Sequence, residues 1–194
     1  IAPASNLASI LTIGEQQAST LPINYQIQML AQLDTYTALI VAGMQGHNKS
    51  VTYNEVFKND TVILAPIAEA ECSSTVGVQL GTAMSIYAAG IGQGTLTGYG
   101  RLQSGFMSIP VIDTFLKKDS QPGLAPLNKK VFIYQGEADT TVPKAATDLL
   151  IASMKANGTS ASNIQYTTSA AWDHGTVYTQ NYTSFVDNID SLFQ

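Results

Sequence analysis

The last third of the chain alternates strand and helix signals, and this alternation constrains the fold more than any other feature. Val131-Phe132-Ile133-Tyr134 is a short apolar, β-rich run that ends at Gly136 and leads into a loop from Glu137 to Val142. Pro143 suits the first turn of a helix, where its missing N–H would have no partner anyway. Ala146, Leu149, Leu150 and Met154 then recur on one helical face until Asn157-Gly158 stops it. Ile164, Tyr166 and Thr168 alternate as a second strand, and Ala171 to Gly175 form the next loop. Phe185, Val186, Ile189, Leu192 and Phe193 share the face of a last helix. Strand, helix, strand, helix predicts an α/β fold with a parallel sheet covered by helices.

Residues 13–127 carry no such alternation. They show helical patches, as in Tyr25 to Gly43, and small-residue stretches, as in Gly77 to Gly105, in which Gly90, Gly92, Gly94, Gly98, Gly100 and Gly105 suggest turns and close packing. This middle reads as an insertion into a core made of residues 1–12 and 128–194. The run Gly90-Ile91-Gly92-Gln93-Gly94 matches neither a dinucleotide fingerprint nor a phosphate loop with its lysine, so no nucleotide cofactor is expected. Only 12% of residues are charged, and the net charge of −5 comes from scattered acids, which excludes nucleic acid as a partner. Apolar runs such as Ala38 to Met44 fall short of the roughly 20 residues that span a bilayer, so no transmembrane segment is expected.

The single Cys72 cannot form a disulfide within the chain and has no Cys/His cluster around it, so no metal is expected. It reads as a buried small hydrophobe or as half of a disulfide to another segment. Four N-x-S/T patterns, starting at Asn48, Asn59, Asn157 and Asn181, join the low charge and many Ser, Thr, Asn and Gln in fitting a secreted or otherwise extracytoplasmic protein. The chain opens without a basic region or apolar signal core, so a targeting segment is expected to have been removed or to lie outside this sequence.

Chemistry concentrates at two loops. Gly136-Glu137-Ala138-Asp139-Thr140-Thr141-Val142-Pro143 places a carboxylate just beyond a strand, where open α/β sheets hold their working residues. Asp139 alone also reads as a turn aspartate hydrogen-bonded to its own loop. Thirty-five positions on, after one helix and one strand, His174 occupies the next strand's loop, and a parallel sheet puts both loops on one edge. In acyl transfer a histidine takes and returns the proton of the nucleophile while an acid fixes its tautomer. Glu137 and Asp173 are the competing carboxylates. Ser73, Ser74, Ser85 and Ser104 read as ordinary polar residues of the insertion, His47 as a surface histidine, and Tyr87, Tyr99, Phe106 and Trp172 as local core.

The segments Val131 to Pro143, Trp172-Asp173-His174-Gly175 and the opening Ile1-Ala2-Pro3-Ala4-Ser5-Asn6-Leu7 resemble the C-terminal part of the α/β-hydrolases. The chain is most similar there to lid-bearing secretory lipases and esterases, with an Ala-Pro strand end before the lid and a Gly-x-x-Asp-x-x-Val-Pro acid loop after it. The resemblance implies a lipase or esterase whose catalytic triad takes its acid from Asp139 and its base from His174, with a helical lid domain at 13–127 covering the acyl pocket. It implies an ester or lipid substrate and no cofactor.

The departure lies in the nucleophile: no Gly-x-Ser-x-Gly elbow occurs in these residues. The serine and oxyanion hole are therefore expected on an upstream hydrolase segment that acts as this chain's partner. Without that segment the chain is expected to be inactive and, with unpaired strand edges, inclined to associate. A serine peptidase of the same superfamily and a non-catalytic, hydrolase-derived binding module remain alternatives.

Overall fold

The structure is a computed structural model that describes residues 3–193, so the expected strand end at Ile1-Ala2 lies outside the described residues. The fold is mixed α/β, predominantly helical, with one two-stranded parallel sheet. The chain divides into two compact units: the segment up to Ile13 joins everything from Thr114 onward, and Gly14–Asp113 forms the other. The second boundary thus falls before residue 114 rather than after 127. Residues 114–127 belong with the strands because Gly123 stands close against Leu150 and Met154. In the same stretch Asn157 Nδ2 donates to the Gly123 carbonyl at 3.0 Å, and the Leu127 N–H donates to Thr159 Oγ1 at 3.0 Å.

In the strand-bearing unit, β1 (Val131–Gly136) pairs in parallel with β2 (Ile164–Ser169), in register from Val131 opposite Ile164 to Gly136 opposite Ser169. A parallel pair needs a long crossover, and α7 (Lys144–Ala156) supplies it, with Pro143 as the residue just before its first turn. Strand alternation sends Val131, Ile133 and Gln135 to one face. There Ile133, Leu150, Ile151 and Met154 form a buried core, with Val131, Ile164 and Tyr166 packed against it. Leu149, expected inside, is 48% exposed. The inward stripe of α7 is instead Ala146, Thr147, Leu150, Ile151 and Met154, and Leu149 stands one residue, about 100° of helix rotation, away from Leu150.

Phe132 and Tyr134 occupy the opposite face, toward α8 (Thr176–Thr179) and α9 (Tyr182–Asp190). The Tyr134 ring meets Phe185 edge-on at 4.7 Å, and Asn188 Nδ2 donates to the Tyr134 hydroxyl at 2.5 Å. The apolar face expected of the last helix is only partly seated: α9 ends before Leu192 and holds no buried residue, and Val186 and Ile189 remain exposed. A two-stranded sheet is too narrow a surface to cover that stripe.

The other unit begins within α1 (Leu7–Ala18) and continues through α2 (Ile23–His47), α3 (Tyr53–Val56), α4 (Asp60–Leu64), α5 (Ser73–Ala89) and the start of α6 (Pro110–Thr114). α2 and α5 pack against each other; α2 buries Ile27, Leu30, Ala38 and Val41, and α5 buries Val76, Leu80, Met84 and Ala88. The small-residue stretch is helical as far as Ala89, and beyond it Gly94, Gly98 and Gly105, among the glycines read as turns, have positive φ. Gly77 and Gly81 lie inside α5 facing Thr35 and Ala31, so their smallness serves helix–helix approach rather than chain reversal. Among the described residues no helix is long and apolar enough to cross a membrane. Cys72 is exposed, against its reading as a buried hydrophobe. Asn181 is buried with its Nδ2 donating to the Val177 carbonyl at 2.8 Å, so this one of the four patterns is not presented for glycosylation.

The core of the helical unit also holds a charge. Asp34 of α2 is fully buried and accepts from Arg101 Nη1 at 2.5 Å, while Arg101 Nη2 pairs with Glu15. Loss of solvent pushes the Asp34 carboxyl up to about 7, against the pull of the Arg101 charge and with a further push from Glu15. Below the ordinary carboxylate range Asp34 is protonated in both states. From there to about pH 7 only the folded state keeps the proton, so stability falls as pH rises and the deficit is complete above pH 7. Replacement Asp34→Asn should remove this fall, changing the difference from wild type by at most about 1.4 kcal/mol per pH unit. Urea unfolding of both proteins from pH 4 to 8 measures it; parallel pH profiles would contradict the assignment.

Candidate active site

Because β1 and β2 are in register and parallel, the loops after Gly136 and Ser169 leave the same edge of the sheet. Backbone bonds knit them together: Glu137 N–H donates to the Ser169 carbonyl at 3.0 Å and Ala138 N–H to the Trp172 carbonyl at 3.1 Å. Gly136 permits this approach, since a Cβ there would stand 2.3 Å from the Trp172 carbonyl oxygen.

Three residues past β1, the Asp139 side chain is fully buried. Its Oδ1 accepts from the Thr141 and Val142 N–H groups at 2.9 and 2.8 Å, and its Oδ2 lies 2.9 Å from His174 Nδ1. Burial of a carboxylate demands such partners, because an unpaired one loses its hydration uncompensated. The imidazole is 49% exposed, and its Nε2 makes no hydrogen bond among the described residues. Donation from Nδ1–H to a buried carboxylate leaves the lone pair on Nε2, facing outward. The structure thus brings Asp139 and His174 together as an oriented, solvent-reachable base backed by a buried acid.

The neighbouring carboxylates do other work. Glu137 Oε1 accepts from Thr168 Oγ1 of β2 at 2.7 Å. Asp173 Oδ1 accepts from the Thr176 N–H at 2.7 Å, the Thr176 hydroxyl at 2.8 Å and the Gly175 N–H at 2.9 Å, holding the first turn of α8. These bonds, the Thr176 N–H foremost, hold its carboxyl below the usual range. The anionic cap is therefore present above the ordinary carboxylate pKa and lost as pH falls through the depressed value.

The serines of the helical unit have ordinary settings: Ser85 Oγ donates to the Gly81 carbonyl at 2.8 Å within α5, Ser73 and Ser74 begin that helix, and Ser104 sits in a turn. His47 is the last residue of α2. Tyr99 and Phe106 are buried, and Tyr87 and Trp172 are half-buried against Tyr99 and Tyr134. Among the described residues no group of three or more His, Cys, Asp and Glu side chains is gathered to hold a metal ion.

Sequence reasoning missed two polar residues beside the acid loop, Gln135 at the end of β1 and Thr147 on α7, both fully buried. The available signal was a glutamine in an apolar strand, on the face that alternation assigns to the core. No family model, curated protein or solved structure matches the chain.

The close approach at Gly136 makes a prediction whose sign is informative. Alanine in a strand normally stabilises relative to glycine by roughly 0.5–1 kcal/mol. At Gly136 the added methyl must displace the Trp172 backbone, and Gly136→Ala should instead lower stability by about 1–3 kcal/mol in urea unfolding. A stabilised variant would show that the two loops are not held as close as described.

Proposed function

We propose that this chain is the acid- and base-bearing part of a carboxylic-ester hydrolase, a lipase or esterase of the α/β-hydrolase kind. The observation that carries the reading is the 2.9 Å contact between buried Asp139 Oδ2 and His174 Nδ1, with Nε2 of the ring left exposed. In that role His174 Nε2 takes the proton of a serine hydroxyl as it attacks the ester carbonyl, then delivers it to the leaving alcohol. Asp139 keeps the tautomer and stabilises the imidazolium that forms in between. The position of both residues in loops beyond the carboxyl ends of parallel strands agrees with it.

The serine and oxyanion hole are assigned to a segment outside these residues, which contain no nucleophile elbow. Two features support such a partner: β1 pairs only with β2 among the described strands, and Phe132, Tyr134, Val186 and Ile189 line an apolar groove beside it. The helical unit is read as the lid. Its Ile63, Val78, Ile86 and Ile91 are each more than two-thirds exposed, in keeping with an apolar acyl substrate. Secretion belongs to the same reading, on the low charge and the exposed asparagines Asn59 and Asn157. A non-catalytic binding module is less well supported, since it has no need of an oriented acid–base pair.

Treatment of the native preparation with a serine-directed fluorophosphonate, followed by intact mass analysis, tests the assignment. Label is expected on a serine outside these 194 residues; label within them overturns the placement of the nucleophile. In the unlabelled enzyme that carries this serine, His174→Ala should lower kcat on p-nitrophenyl esters by about 10³–10⁴-fold or more. Turnover near that of wild type would remove His174 as base, and faster cleavage of peptide anilides than of esters would favour the peptidase.

A further inference from the structure

Gln135 is a polar side chain at a core position, and its amide nitrogen faces the acid loop. Strand alternation turns it toward α7, where Thr147 Oγ1 donates to its Oε1 at 2.6 Å. Its Nε2 faces three oxygens: the Gly136 and Val142 carbonyls, each at 2.9 Å, and Asp139 Oδ2 at 3.4 Å. Three acceptors around the nitrogen determine which way the amide points, since the reverse orientation would set oxygen against oxygen. The two N–H bonds go to the carbonyls, and the longer approach to Asp139 places a partial positive charge beside the carboxylate.

The bonds connect opposite ends of one short loop. The Gly136 carbonyl begins it and Val142 ends it. The Val142 peptide is held from both sides, its N–H by Asp139 Oδ1 at 2.8 Å and its carbonyl by Gln135. Gln135 is in turn anchored to α7 through Thr147, itself fully buried. An apolar side chain of similar volume would fill the same space, yet it would leave the Gly136 and Val142 carbonyls without this donor.

We infer that Gln135 and Thr147 are positioning residues that close the acid loop and hold the Asp139 carboxylate with Oδ2 aimed at His174. The inference rests on the proposed acid–base role of that pair, deepens it, and concerns a part of the machinery that never touches substrate. Loosening either residue lets the loop open, and the carboxylate then turns away from the imidazole without any change in the residues that react.

The test reads the His174 ring directly by proton–nitrogen NMR of the full chain, where an Nδ1 proton held by a buried carboxylate resonates far downfield. Asp139→Asn is the reference and should abolish that resonance. Thr147→Val, nearly isosteric, and Gln135→Met should each shift it upfield or broaden it. They should also speed exchange of the Thr141 and Val142 amides by about tenfold, and Thr147→Ser should restore both signals. An unchanged resonance and unchanged exchange in Thr147→Val and Gln135→Met overturn the positioning role, while global unfolding of both variants overturns it by making the pair a determinant of the fold. A resonance that survives Asp139→Asn fails differently, because it removes the acid–base reading itself.

Discussion

The arrangement at the strand ends depends on a carboxylate kept out of water. Asp139 is fully buried, and its two oxygens are satisfied by two backbone amides of its own loop and one imidazole nitrogen. Remove those donors and the charged form has no compensation for its lost hydration, so loop conformation and histidine orientation are two sides of one requirement. The parallel register of β1 and β2 meets it by ending both strands level, and Gly136 by letting the Trp172 backbone come within reach.

A second buried carboxylate is partnered differently. Asp34 has a guanidinium beside one oxygen, but its Oδ2 has no hydrogen-bond partner among the described residues. Desolvation therefore prevails over the attraction of Arg101 and raises its pKa. Two backbone N–H groups reach Asp139 Oδ1, whereas a guanidinium reaches Asp34 Oδ1. Asp139 lies in a loop whose backbone N–H groups are free to turn inward, whereas Asp34 lies within α2, where backbone donors are already engaged in the helix.

Reading the sequence located the two strands, the crossover helix and the loops that carry Asp139 and His174, because these follow from local periodicity and from punctuation at Gly136, Pro143 and Gly158. It misjudged features that depend on what lies opposite. Leu149 looked like a core residue until the stripe of α7 was set against the sheet, and the face of α9 looked buried although the two strands offer it little surface. Gln135 was passed over because a polar residue in an apolar strand acquires its meaning only from Thr147 and the Val142 carbonyl.

What the sequence alone determined is therefore the order and type of the elements around the site and the presence of carboxylates and a histidine in the loops after successive strands. Periodicity and turn chemistry are local, and a few neighbouring residues suffice to express them. Tertiary structure decided which of the three carboxylates near those loops faces the imidazole. Glu137 bonds Thr168, Asp173 holds the start of α8, and Asp139 alone is buried against His174. That choice could not be read from spacing, because it follows from strand register, the close contact at Gly136 and the supply of hydrogen-bond donors in a space closed to water.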